Sequence, residues 1–232
     1  AEDGIGTERI KGAYAWRTII DSGSIIINGT DAPVELVNPY HSLYAAVTRK
    51  SRLGEPPEGW HPEQCMTREE ALRSYTNWPA YGEFNEDLKG SLEVGKLADF
   101  VVIDRDYMTC PEEDIKDIQA LLTVSGGEVV YQKDTSVPTI MWNGLPLTFN
   151  SELIVEPGKI YVPLNDVING ISAEKRADGA SMLVTLNGKS IKLPVKTVDG
   201  VDYVAVRALF EGLGRNVTWY GDSRCVSIGW LK

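Results

Sequence analysis

The segment "NGTDAPVE", Asn28 to Glu35, sets one acid, Asp31, between the apolar run Ile25, Ile26, Ile27 and a proline that ends any strand. A carboxylate at the C-terminal tip of a buried strand is where α/β barrels place general bases and metal ligands. The strand fixes the side chain and the loop opens it to substrate. A catalytic zinc needs several ligands drawn from His, Cys and carboxylates. The chain has 2 histidines, His41 and His61, and their spacing is not that of ligands. Taken alone, Asp31 reads first as an Asx turn before proline.

Other residues with chemical capacity read less sharply. Glu35 is either an acid facing substrate or a solvated loop residue, and His41 and His61 read as surface or supporting groups. Cys65, Cys110 and Cys225 are odd in number, widely spaced and outside any C-x-x-C pattern, so they read as plain thiols. Trp60, Trp78 and Tyr81 either line a pocket mouth or pack under their proline-rich loop. Trp142, Trp219, Tyr220 and Trp230 either form a sugar-stacking face or pack, and the repeat puts Trp219 at strand spacing, which favours packing. A net charge of -10 repels phosphate backbones and anionic membrane surfaces, which argues against nucleic acid as a partner. No apolar run has the length of a membrane span.

The elements that must position these groups follow from spacing. Residues Glu8 to Ser22 carry Tyr14, Trp16, Ile19 and Ile20 at helical intervals, and Ser24 to Asn28 read as a short strand buried on both faces. "PYHSLYAAVTRK" from Pro39 reads as a helix, "GEPPEGWHPEQ" as a loop, and Thr67 opens "TREEALRSYT" as a capping box with Glu70. In "KGSLEVGKLADFVVIDRD", Gly95 supplies a turn and Ala98 to Ile103 a strand. "DIQALLTVSGGEVVYQ" reads as a hairpin across Gly126 and Gly127, and "PEEDIKD" as a charged turn and helix start near the surface. The start "AEDGIGTERI" has no basic or apolar leader region, and reads as the middle of a longer protein.

Beyond Val137 the chain turns to short strands and repeats itself. The stretch from Gly158 overlies that from Gly200 at a constant offset of 42 residues, pairing Tyr161 with Tyr203, Gly170 with Gly212, Gly179 with Gly221 and Val184 with Val226. Two copies are too few for a solenoid, so a small pseudo-symmetric domain is expected, with its boundary in "QKDTSVP".

With these residues laid out, the first part of the chain resembles the C-terminal portion of a family 3 amidohydrolase, the branch that includes N-substituted formamide deformylases. "YAWRTIIDSG", "GTDAPVE", "NPYHSLYAAVTRK", "MTREEALRSYT" and "KGSLEVGKLADFVVIDRD" carry the likeness, in that order. The resemblance implies an α/β fold. Residues 1–90 would be the last helix-strand-helix part of a (β/α)8 TIM barrel, and 91–135 the C-terminal strands of a composite β-domain. It implies a metal-dependent hydrolase of non-peptide C–N bonds, acting on a small amide-type substrate with a divalent metal, zinc by preference. Asp31 would be both catalytic residue and metal ligand. The family's histidine ligands have no counterpart here. This chain alone is therefore expected to bind no metal and to be inactive, its partner being the missing N-terminal barrel polypeptide or another copy of itself.

Residues 136–232 resemble a copper amine oxidase N-terminal-like domain, carried by "YVPLNDV" and "YVAVRALFEGLGRNVTWYGDSRCVSI". That likeness implies a bacterial accessory module in an extracellular or cell-surface setting. Copper is not expected, since the segment has no histidine and no ligand cluster. The alternative to the hydrolase is a non-catalytic binding or structural fragment whose terminal domain attaches to cell wall, polymer or a partner protein.

Overall fold

The chain divides into two units, residues 1–132 and 133–232. The structure, a computed structural model, describes residues 2–179, 181–221 and 224–230, without the side chains of residues 2, 3 and 230. The sequence reading of the Trp230 ring therefore lies outside the described residues.

In the first unit, α1 (Glu2–Ile5), α2 (Trp16–Asp21), α3 (Pro39–Thr48), α4 (Arg68–Tyr75) and α5 (Asn77–Gly82) precede three strands, β1 (Phe100–Ile103), β2 (Ala120–Ser125) and β3 (Glu128–Gln132). Two of the helices start on side-chain caps. Asn38 accepts from the Tyr40 N–H ahead of Pro39, and Thr67 and Glu70 form the expected reciprocal box, with Glu70 N–H to Thr67 Oγ1 at 3.2 Å and Thr67 N–H to Glu70 Oε2 at 2.8 Å. α3 packs between α4 and a 3₁₀ turn, Glu112–Asp117, around Leu43, Tyr44, Ala46, Met66, Ala71, Ile115 and Ile118. The three strands form one antiparallel sheet. Its second hairpin turns on Gly126 and Gly127, whose φ values of 59° and 84° suit residues without a Cβ.

Three expectations fail in this unit. The helix over 8–22 is broken into a 3₁₀ turn, Arg9–Gly12, and the shorter α2. Ala13 is extended, Tyr14 takes φ 51°, and the Tyr14 carbonyl accepts from Arg49 Nη1 at 3.1 Å, a bond from a distant residue that a continuous helix would forfeit. Segment 24–28 forms no ladder with any described strand. The Asn28 N–H instead donates to the Ser74 carbonyl at 3.0 Å, Ile25 and Ile27 are exposed, and Ile26 alone packs on the core. A strand without a neighbour has nowhere to send its N–H and C=O groups. The turn "PEEDIKD" is not superficial either, since Asp114, Lys116 and Asp117 are buried. Burial there is tolerated through partners: Lys116 Nζ donates to the Glu113 carbonyl at 2.5 Å and lies 4.9 Å from the Tyr44 ring centroid, while Tyr44 Oη donates to Glu113 Oε2 at 3.0 Å.

The second unit contains β4 (Thr139–Trp142), β5 (Leu145–Pro146), β6 (Ile154–Glu156), β7 (Lys159–Pro163), α6 (Leu164–Gly170), β8 (Glu174–Asp178), β9 (Ser181–Leu186), β10 (Lys189–Pro194), β11 (Lys196–Val198), β12 (Val201–Ala205), α7 (Val206–Gly212), β13 (Arg215–Tyr220) and β14 (Cys225–Trp230). They form sheets of order β10-β9-β8, β11-β12-β7-β6 and β13-β14-β4-β5. The offset of 42 residues maps β6, β7 and α6 onto β11, β12 and α7 residue for residue. The pairing of β7 with β12 is itself self-complementary, because Val162 faces Val204, its own counterpart, while Tyr161 faces Ala205 and Pro163 faces Tyr203. A local two-fold axis passes through that valine pair. In both copies the last helical glycine permits close approach, since a Cβ on Gly170 would strike Leu147 and one on Gly212 would strike Ile191. The core between the copies includes Val162, Leu164, Val184, Val204, Leu209 and Phe210, with Phe210 packed on Trp142 at a ring separation of 5.3 Å. Burying each such side chain is worth about 1.5–3 kcal/mol.

Candidate functional site

Asp31 sits where the chain leaves the Asn28–Ser74 anchor. Asn28 Oδ1 accepts from the Gly29 N–H at 2.9 Å, and a turn closed by Val34 N–H to Asp31 O at 2.8 Å carries the acid with φ 53°. That left-handed conformation is one that aspartate adopts more readily than most residues. The Ala32–Pro33 bond that follows is cis. Asp31 and Glu35 are both exposed.

The loop forms one side of a cleft of about 600 Å³, with Asn28 to Asp31, Glu35 and Leu36 on that side. His41, Ser42 and Ala45 on α3 face it, and Lys50, Ser51 and Arg52 close one end. Tyr14 and Trp16 complete the lining. The fold thus gathers Asp31, Glu35, His41 and Lys50 around one space. The Asn38 side chain that caps α3 also lies 3.3 Å from His41 Nε2, so the cap and the imidazole share one support. Lys50 is held toward Glu113 at 3.6 Å.

Behind this lining lies a clamp absent from the sequence reading. Arg49, 7% exposed and itself left-handed at φ 59°, places its guanidinium 4.5 Å from the Trp16 ring and 4.8 Å from the Trp60 ring. It also donates from Nε to the Trp60 carbonyl at 2.8 Å and from Nη1 to Tyr14 O. Burial pulls its pKa below the usual arginine value, yet two carbonyls and two aromatic faces stabilise the cation there. The sequence signal available was the run of aromatics beside the proline loop, in which Trp60 serves as packing for Arg49. Its neighbour Cys65 is a free thiol pushed up by burial, so it lacks the thiolate character of a nucleophile.

His61 lies outside the cleft lining, edge-on to Trp60 at 4.5 Å with Nδ1 3.2 Å from Glu63. Among the described residues no group of three or more His, Cys, Asp or Glu side chains is arranged to hold a metal ion. Asp31 supplies one exposed carboxylate, too little for a closed or catalytic zinc site, so these residues do not fit a metal by themselves. No helix among the described residues is long and apolar enough to cross a membrane.

The mixed α/β unit thus presents a loop-borne acid on a cleft that Tyr14 and Trp16 also line. Residues 1–131 match the amidohydrolase family, more than half of the chain, and the chain belongs to that family. It is 32% identical over 131 residues to YtcJ of Bacillus subtilis (strain 168), covering 56% of this chain and 25% of that protein. It is also 32% identical over 120 residues to the N-substituted formamide deformylase of Arthrobacter pascens, covering 52% of this chain and 22% of the deformylase. Protein LONG AFTER FAR-RED 3 of Arabidopsis thaliana is 33% identical over 133 residues, 55% of this chain and 21% of that protein. The chain therefore spans between a fifth and a quarter of the length of these curated relatives. No solved structure matches it.

Proposed function

We propose that residues 1–132 form the acid-bearing C-terminal part of a hydrolase of amide-type, non-peptide C–N bonds. The observation that carries this is Asp31, exposed and held by turn and backbone bonds on the rim of a cleft within the family-matched segment. The similarity to a protein named N-substituted formamide deformylase supports an N-substituted amide as the substrate class. In this reading Asp31 accepts the proton of the attacking water, and the Trp16 and Tyr14 wall receives the apolar side of the substrate and excludes bulk water. Members of the family are metal-dependent, and the bound divalent ion, zinc by preference, would activate that water. Its remaining ligands would come from outside the described residues.

The same reading assigns a partner. The β1–β3 sheet exposes Val101, Val102, Val129, Val130 and Tyr131, and the loops before it expose Phe84, Leu92 and Val94. Successive strand residues lie on opposite faces, so these side chains leave both faces of the sheet open, and exposed apolar residues in this number mark an interface. We assign its cover to barrel polypeptide of the same protein, with a second copy as the competing occupant. Native mass spectrometry with hydrophobic-dye titration distinguishes the outcomes. A monodisperse single chain that binds no dye refutes a missing cover. Residues 133–232 are assigned an accessory role, in line with their likeness to the copper amine oxidase N-terminal-like module, in an extracellular or cell-surface setting.

The test of the catalytic role is Asp31→Asn in the natural gene product carrying these residues, assayed on N-substituted formamides. Loss of a general base lowers turnover by about 10²–10⁴-fold. Turnover unchanged in that variant would remove Asp31 from the chemistry.

A further inference from the structure

The second unit carries a cleft that the hydrolase reading does not use. β6 ends one four-stranded sheet and β13 ends another, and both line a groove of about 710 Å³ beside the start of α7. Its floor is Val206, Val217 and Val226, all buried, and its wall includes Trp219, which is 44% exposed. Since the spacing of Trp219 had suggested packing, an indole nearly half open to solvent calls for a physical account.

The local two-fold supplies an internal control. The corresponding place beside α6 has Asn165 for Arg207, Asp166 for Ala208, Lys175 for Val217 and Ala177 for Trp219. There Lys175 Nζ bonds to Asn165 Oδ1, while Asp166 accepts from the Asn150 backbone N–H at 2.7 Å and from its side chain at 2.9 Å. In one copy polar side chains bond to one another across the place at the surface. The other leaves it apolar, with an exposed indole, at a standing cost in unburied surface that an occupant would relieve.

The chemistry of the occupant follows from the walls. The β6–β7 hairpin turns on Pro157 and Gly158, with Glu156 opposite Lys159 and Val155 opposite Ile160. In a two-residue hairpin the pair flanking the turn is hydrogen-bonded, and bonded pairs alternate with unbonded ones. Val155 therefore directs its N–H and C=O outward along the free edge. Such an edge accepts a further strand. Among the charges lining the groove, Glu156 is paired with Lys196 at 2.5 Å and Glu211 with Arg207 at 2.5 Å, whereas Lys159, across the ladder from Glu156 and helping to hold its carboxyl down, makes no direct ion pair among the described residues. The matching ligand brings one negative charge.

We propose that this groove binds an extended peptide segment that pairs its main chain with the β6 edge at Val155, sets an apolar side chain against Trp219 and places an acidic group at Lys159. The test screens a library of N-acetylated heptapeptides against the whole chain and its Trp219→Ala variant by fluorescence polarisation. Far-UV circular dichroism and the thermal midpoint serve as the check that the variant folds. Selected peptides are expected to alternate apolar and polar residues, to include Asp or Glu, and to bind Trp219→Ala at least about tenfold more weakly. Lys159→Gln should weaken them too, and the effect should shrink as salt is raised. N-methylation of alternate peptide amides should abolish binding in one register and spare it in the other, the signature of an added strand. Failure to select any peptide that distinguishes the two proteins, or binding indifferent to N-methylation, overturns the proposal. So does binding of chitohexaose or cellohexaose that is lost in Trp219→Ala without any such peptide, which would give the groove to a glycan. A concentration-dependent dimer abolished by Trp219→Ala in sedimentation would give it to a second copy and equally overturn it.

Discussion

The two units reach stability by different routes. Residues 133–232 centre on a cluster of 17 buried apolar side chains contributed by both copies of the repeat, whereas the longer residues 1–132 have a corresponding cluster of nine. The first unit compensates with polar clamps: Arg49 between two indoles, Arg105 on Asp104 at 2.7 Å with both side chains buried, and Arg17 on Glu70. It also carries 12 basic and 23 acidic residues, a net charge of -11, against 11 and 10 in the second unit, a net charge of +1. Thus the whole acidity of the chain belongs to the unit with the smaller core and the larger exposed apolar surface. Self-repulsion and unburied surface act together there, and the cover proposed for the sheet would relieve the second.

The contrast is open to test by its strongest element first. Phe210→Ala removes a fully buried ring from the two-copy core and should cost about 3–5 kcal/mol, read as a lowered denaturation midpoint of the second unit. A loss under about 1 kcal/mol would mean that this core does not carry the unit. In the first unit, Glu70→Gln isolates charge from capping, because glutamine also completes a capping box. The Arg17 guanidinium holds the Glu70 carboxyl down to about 2 from 4.5. A depressed carboxylate contributes stability that is present above its unfolded pKa and lost as the pH falls through its folded one. Wild type should therefore exceed Glu70→Gln by about 1 kcal/mol at neutral pH, and the gap should close between pH 4.5 and about 2. A gap that persists in acid would point to packing instead. Trp219→Ala, at an indole 44% exposed, should cost far less than Phe210→Ala, no more than about 1 kcal/mol in the absence of ligand. A larger loss would return Trp219 to the core.

What was legible in the sequence was what local rules decide. The Thr67–Glu70 box, the helix start at Pro39 and the Gly126–Gly127 turn depend on residues a few positions apart, and the offset of 42 residues is visible without any knowledge of contacts. The failures all turn on distant partners. Tyr14 leaves helical geometry as its carbonyl meets Arg49, 35 positions away, and Ile25 to Ile27 read as a strand from composition although pairing needs a neighbour. For the candidate site, the acid was legible as a position and the cleft was not. That α3 turns His41 toward the Asp31 loop, and that Arg49 backs the aromatic wall, depends on how α3 packs on α4 and the 3₁₀ turn.

The Val162–Val204 pairing has one more consequence. Strands that pair through a two-fold within one chain present the same complementary surfaces to a second chain. Only the effective concentration set by the intervening 41 residues, Pro163 to Tyr203, keeps the exchange intramolecular. Shortening the connection between the copies, at the Asn187–Gly188 turn for example, would favour reciprocal exchange of halves between two molecules, giving a closed dimer with the same ladder and the same core.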